Sequence, residues 1–205
     1  DDVHSALTDF SSDAWCEALP KLFGDMEGLL LDALDLLREL NEVDDESDCS
    51  YWDMPSISEH PQNKGFHDWV ALIKLLRDAW LETRKVDHVR AGERAHSWFK
   101  QNYPTFKRLA LFAASFDEII EPDIWVDWLV DGDAWWLWSI DTRREALALL
   151  RLQGTRLTEG GRARLEEAIL KGPPREKFPD EITLEDWQEL SDRSIWLRLA
   201  KLRSV

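Results

Sequence analysis

A chain of 205 residues that is 44% apolar and carries 12 tryptophans can build the core of one large or two small globular domains, and its net charge is −16. It has no run of eighteen apolar residues that would read as a transmembrane helix, and its acidic start (Asp1, Asp2, Val3, His4) lacks a signal peptide's basic and apolar regions. Two cysteines, Cys16 and Cys49, are too few for a disulfide scaffold and read as free thiols in a reducing cytoplasm.

Ser11, Ser12 or Asp13 caps a first predicted helix through Trp15, Cys16, Leu19, Leu22 and Phe23, which Pro20 is expected to kink or split. Gly24 and Asp25 open a second, with Leu29, Leu30, Ala33, Leu34, Leu37 and Leu40 at helical spacing. Together they predict an acidic helical hairpin over 1–43. An acidic loop follows over 44–63, with two prolines and no periodicity. The main helical domain is expected over 64–205, unless the whole chain is one continuous domain.

In the next helix, about Gly65 to Lys85, Trp69, Ile73, Leu76 and Trp80 recur at steps of four, three and four. Another spans about Val89 to Asn102, with Ala95, Trp98 and Phe99 inward. Pro104 fits a first turn. Thr105–Phe116 is apolar nearly all round after Arg108, which predicts a helix buried in the middle of an array. Pro122 opens a short helix with Trp125, Trp128 and Leu129, ended by Asp131-Gly132-Asp133. Asp141 and Thr142 cap a helix carrying Ala146, Leu147, Leu149 and Leu150, closed by Gly154. Thr158 starts the next, with Leu165, Ala168 and Ile169 inward, and Gly172-Pro173-Pro174 stops it. Thr183 caps a short helix with Trp187. Ser191 or Asp192 caps the last, with Ile195, Trp196, Leu199 and Leu202 on one face. No strand pattern competes. The fold class is all-α: an irregular helical array or α-solenoid of about ten helices in antiparallel pairs.

No segment carries a strong catalytic, metal or nucleotide signature. His4, His60, His67, His88 and His96 form no HExxH pair, and neither cysteine lies at a ligand spacing from them. Asp44, Asp45, Glu46 and Asp48 lack the order of a calcium loop, as do Asp127, Asp131 and Asp133. Gly160-Gly161, followed by Arg162 and Arg164, would favour an anion at a helix start, but Thr158 as a cap explains the same residues. No metal and no cofactor is expected.

Charge and aromatics point instead to contact. The first 60 residues hold 17 acids and 2 bases, so nearly all the acidity lies there, and Asp44, Asp45, Glu46 and Asp48 are candidate protein-contact residues. Arg143, Arg144, Arg151, Arg162 and Arg164 form a candidate basic face. Phosphate binding needs such charges on one face, but the acids interleaved with them argue against nucleic acid. Pairing with the acidic region, or with a partner, is the competing use. Trp135, Trp136 and Trp138 cannot all point one way on a helix, because neighbours differ by about 100°. At least one is expected at a surface or groove, as a protein contact.

The stretch SWFKQNYPTFKRLALFAASF (Ser97–Phe116), the Trp-rich segment after it, the Glu145-led leucine helix, AILKGPPR (Ala168–Arg175) and SIWLRLAKL (Ser194–Leu202) resemble a known arrangement. They are similar to the helical C-terminal regions of large bacterial sirtuin-like or nucleotide-binding anti-phage defence proteins, over about residues 90–205. The resemblance implies a helical sensing or scaffolding region, with catalysis in a domain outside this sequence, and no catalytic residue carries over. With no initiator Met and no cap signal at the end of the last helix, the chain is expected to be a piece of a longer cytoplasmic protein. The expected function is therefore a non-catalytic helical interaction, scaffold or sensing domain, bound to a protein partner or to other domains of the same protein, with no membrane contact. The alternatives are a stand-alone acidic inhibitor or nucleic-acid mimic that occupies a basic partner surface, and an enzyme whose site forms only in three dimensions.

Overall fold

Helix α1, Asp13–Glu39, is one continuous helix, where the sequence predicts a break at Pro20 and a second start at Gly24-Asp25. A proline in a helix interior costs about 3 kcal/mol. That cost is offset by a stripe of Leu19, Phe23, Met26, Leu30 and Leu34, all buried, each worth about 1.5–3 kcal/mol on burial. Ser12 caps the helix by accepting from the Trp15 N–H. The stripe packs against α3, Val70–Val86. The acidic N-terminal segment is therefore no separate hairpin; it is half of a helix pair.

A computed structural model describes residues 12–63, 69–117 and 119–203. Among them there is no strand, and the architecture is an all-α helical array. Short helix α2 (Ser50–Asp53) falls inside the segment predicted as loop. Helix α4 is His88–Lys100, capped by Asp87, and α5 is Pro104–Ala114. Then come α6 (Pro122–Val130), α7 (Trp135–Trp138), α8 (Arg143–Gln153), α9 (Glu159–Lys171) and α10 (Leu184–Arg203), with 3-10 turns at Gly154–Arg156 and Arg175–Lys177. His4, His67 and the start of the predicted Gly65 helix lie outside the described residues. No helix among the described residues is long and apolar enough to cross a membrane.

The chain divides into two compact units, between Leu109 and Ala110. The expected boundaries after residues 43 and 63 are not where it parts. The acidic loop is sewn into the first unit: Met54 and Ile57 are buried, and the Arg77 Nη1 donates to the Ile57 carbonyl at 3.0 Å. Trp80 and Trp98 are the aromatic centre of that unit, both fully buried. Their indole N–H groups donate to the Ala91 carbonyl and the Glu27 carboxylate. As the sequence predicts, every residue from Tyr103 to Ala114 is buried.

In the second unit α6 lies against α9, and α8 against α10. Two predicted helices merge here, because α10 runs unbroken from its Thr183 cap through Ser191 and Asp192. Within it Arg198 and Leu202 face inward. Trp196, two residues from Arg198 and so about 200° round the helix, points the other way and is 69% exposed. Its predicted place on the inward stripe is thus corrected.

Candidate functional site: an aromatic cationic cleft

The site grows from a strained turn. After α6, Gly132 (φ +65°) and Ala134 (φ +58°) both take the left-handed region. For alanine that costs about 1–2 kcal/mol. The turn is held by the Asp133 carboxylate, which accepts from the Trp135 N–H at 3.0 Å. Helix α7 follows as a single turn, Trp135–Trp138. Its end is tied by the Thr142 hydroxyl, which donates to the Trp136 carbonyl at 2.7 Å rather than capping α8.

Helix α10 supplies the other anchor. Arg198 is 3% exposed. Its Nε donates to the Leu137 carbonyl at 2.9 Å, its Nη1 to the Ser194 carbonyl at 3.1 Å, and its guanidinium lies over the Trp138 ring. Burial, and then the like charge of Arg143, lower its pKa to about 9. It remains a cation at neutral pH.

The loop between α9 and α10 closes the remaining side. Gly172 (φ +82°) turns the chain out of α9. Arg175 gathers the loop by donating to the carbonyls of Phe178, Pro179 and Ile182. Phe178 stands edge-on between Trp135 and Trp187, at centroid distances of 6.3 and 5.0 Å.

These elements enclose a cleft of about 380 Å³. Its apolar wall is Trp135, Trp138, Ile140, Pro173, Phe178 and Leu190; its polar groups are Arg143, Lys177, Arg198 and Ser194. Among the described residues three cations and no carboxylate line it, in a chain of net charge −16. The Trp135 and Trp138 indole N–H groups are buried and have no acceptor among the described residues. Arg143 also borders a more open groove, lined as well by Asp186, Glu189 and Arg193.

The predicted contact residues separate in space. Trp135 and Trp138 line the cleft, whereas Trp136 does not and is half-buried. Of the acidic four, Asp48 is corrected outright: it is 2% exposed and is no surface contact. Its carboxylate accepts from the Thr105 N–H at 2.6 Å and the Ser50 N–H at 3.1 Å, capping buried α5 from a distance. Asp44 folds back on its own turn, accepting from the Glu46 and Ser47 N–H groups. Asp45 pairs with Arg38. Glu46 is exposed.

The candidate basic face is not one face. Arg164 pairs with Asp127, and Arg162 donates to the Gly154 carbonyl and approaches Glu166. Arg144 and Arg151 are exposed on α8, and only Arg143 reaches the cleft. The Gly160-Gly161 helix start is served within the chain. Thr158 Oγ1 accepts from the Gly161 N–H and donates to the Asp123 carboxylate, both at 2.9 Å. Among the described residues no group of three or more His, Cys, Asp or Glu could hold a metal ion. Cys16 and Cys49 are not joined in a disulfide.

Reasoning from the sequence missed Arg198 and Phe178 as site residues. Periodicity marks Arg198 only as a polar break in the last helix. It missed the exposed Trp52 and Trp196 as well. Comparison with protein-family models, characterised proteins and solved structures finds no match to this chain.

Proposed function

We propose that this chain is a non-catalytic interaction or sensing domain of a larger protein, working by binding at the aromatic cationic cleft of its second unit. One observation carries the reading: an acidic protein gathers Arg143, Lys177 and Arg198 around aromatic rings that meet edge to face, with no carboxylate among the described residues of the lining. A buried cation usually has an anionic partner. For Arg198 the hydrogen bonds are to backbone carbonyls, and the other charge acting on it is a second cation. The cleft lining contains Ser194 but neither histidine nor carboxylate to activate it, which suits recognition better than nucleophilic chemistry. The resemblance to helical regions of bacterial defence proteins agrees with a sensing or scaffolding role in the cytoplasm. The acidic-inhibitor alternative draws less support, because Asp44, Asp45 and Asp48 are engaged inside the chain.

Cross-linking the purified chain to the remainder of its full-length protein, or to a candidate partner, tests the proposal. The complex is expected to be lost in Trp135→Ala and weakened in Arg143→Gln. A complex unaffected by both substitutions overturns the cleft as the working surface.

A further inference from the structure

We infer that the cleft is a site for a small aromatic carboxylate, with the anionic end held by Arg143 and Arg198 and the flat body against Trp135 and Phe178. This rests on the binding reading above and names the ligand class for the same site. Size comes first. About 380 Å³ is near the lower end of small-molecule pockets and fits one single or fused ring with a short substituent, not a helix of a partner. Shape comes second. Trp135 and Phe178 are part-exposed and meet edge to face, so they give the wall flat ring surface against which an aromatic body packs.

Charge supplies the anionic end. Arg143, Lys177 and Arg198 line the cleft and no carboxylate among the described residues does, so an anion entering it meets three cations. A guanidinium's planar fork matches a carboxylate in two parallel hydrogen bonds. The Arg198 Nε and Nη1 are directed to backbone carbonyls, so its guanidinium is oriented before any ligand arrives. The indole N–H groups of Trp135 and Trp138, two residues that line the cleft, have no acceptor among the described residues. The neighbouring groove lacks these features: its lining has no aromatic ring and includes two carboxylates, Asp186 and Glu189.

The test titrates the full chain with indole-3-acetate, its neutral isostere indole-3-acetamide, and acetate, read by calorimetry and by the indole N–H resonances. Indole-3-acetate is expected to bind about tenfold or more tighter than the amide, a difference of about 1.4 kcal/mol. Acetate alone is expected to bind far more weakly than either. Arg143→Gln, at an exposed position that leaves the fold intact, should shrink the acid-to-amide ratio several-fold. Arg151→Gln, exposed on the same helix but outside the cleft, should leave it unchanged. Equal binding of acid and amide, or no shift of the Trp135 and Trp138 resonances at millimolar ligand, overturns the inference. A partner complex still lost in Trp135→Ala would then show that this inference alone had failed and that the binding reading stands.

Discussion

The Arg198 guanidinium sits 4.1 Å from the centroid of the Trp138 ring and, through its Nε, donates to the carbonyl of the residue before that tryptophan. One side chain of the last helix thus fixes both the ring and the backbone of the Trp-rich turn. Arg198→Met keeps most of the volume but leaves the buried Leu137 carbonyl without its donor. Losing a hydrogen bond to a charged group costs about 1.5–3 kcal/mol. Removing a desolvated cation recovers part of this, so a net loss of about 1–2 kcal/mol in urea unfolding is expected. A more stable variant would show that desolvation outweighs the anchor.

Asp48 should matter far more than its acidic neighbours. Asp48→Ala takes the carboxylate from the Thr105 N–H and leaves it buried beside Ser50 and Arg108, whose side chains are also buried. A loss of about 2–3 kcal/mol is expected. Asp45→Ala removes an ion pair whose side chains are 38% and 65% exposed, which is worth under about 1 kcal/mol. Comparing the two urea midpoints checks the ranking, and equal effects would contradict it.

Two glycines should respond with opposite signs. Gly28 lies inside α1, and a Cβ there meets nothing within 4 Å. Gly28→Ala should raise stability by about 0.5–1 kcal/mol. At Gly154 a Cβ would meet Leu202 Cδ1 at 2.9 Å and the Leu202 carbonyl at 3.1 Å. Gly154→Ala should therefore destabilise by about 1–3 kcal/mol, since α10 must move off the end of α8. Thermal melts of both variants decide the matter.

Lys107 makes stability depend on pH. It is buried, its Nζ donates to the Phe99 carbonyl, and burial lowers its pKa from 10.5 to about 8 in the fold. Between these values the unfolded chain holds the proton and the folded chain does not, so stability rises with pH from about 8 to 10.5. Lys107→Met should flatten that rise when urea unfolding is followed from pH 7.5 to 9.5. Above pH 10, Tyr103 acts in the opposite direction. Its pKa is raised to about 12, mainly by burial and by its hydrogen bond to Asp35, so the unfolded chain loses its proton first.

Much of the fold was legible in the spacing of apolar residues. The all-round apolar run after Arg108 became a fully buried helix, and Thr158 and Thr183 serve as the caps their positions suggest. Boundaries were less legible at Pro20 and Ser191, where local breaking or capping signals lost to burial along one continuous face. Trp135, Trp136 and Trp138 drew notice because their spacing fits no single stripe, and two of them do line the cleft.

Helix periodicity is local: which residues share a face follows from 3.6 residues per turn and the identities of the next few side chains. That is why the all-α architecture, most helices and the oddity of the Trp cluster could be read directly from the chain. The fate of a polar side chain depends on distant elements. Asp48 is an acid in an acidic loop until Thr105, 57 positions on, presents the N–H groups of a helix start. Arg198 is an ordinary arginine on an amphipathic helix until the Leu137 carbonyl, 61 positions back, meets it. Packing alone made the first a buried cap and the second the floor of a cationic cleft, because desolvation and hydrogen-bond geometry exist only once those segments meet.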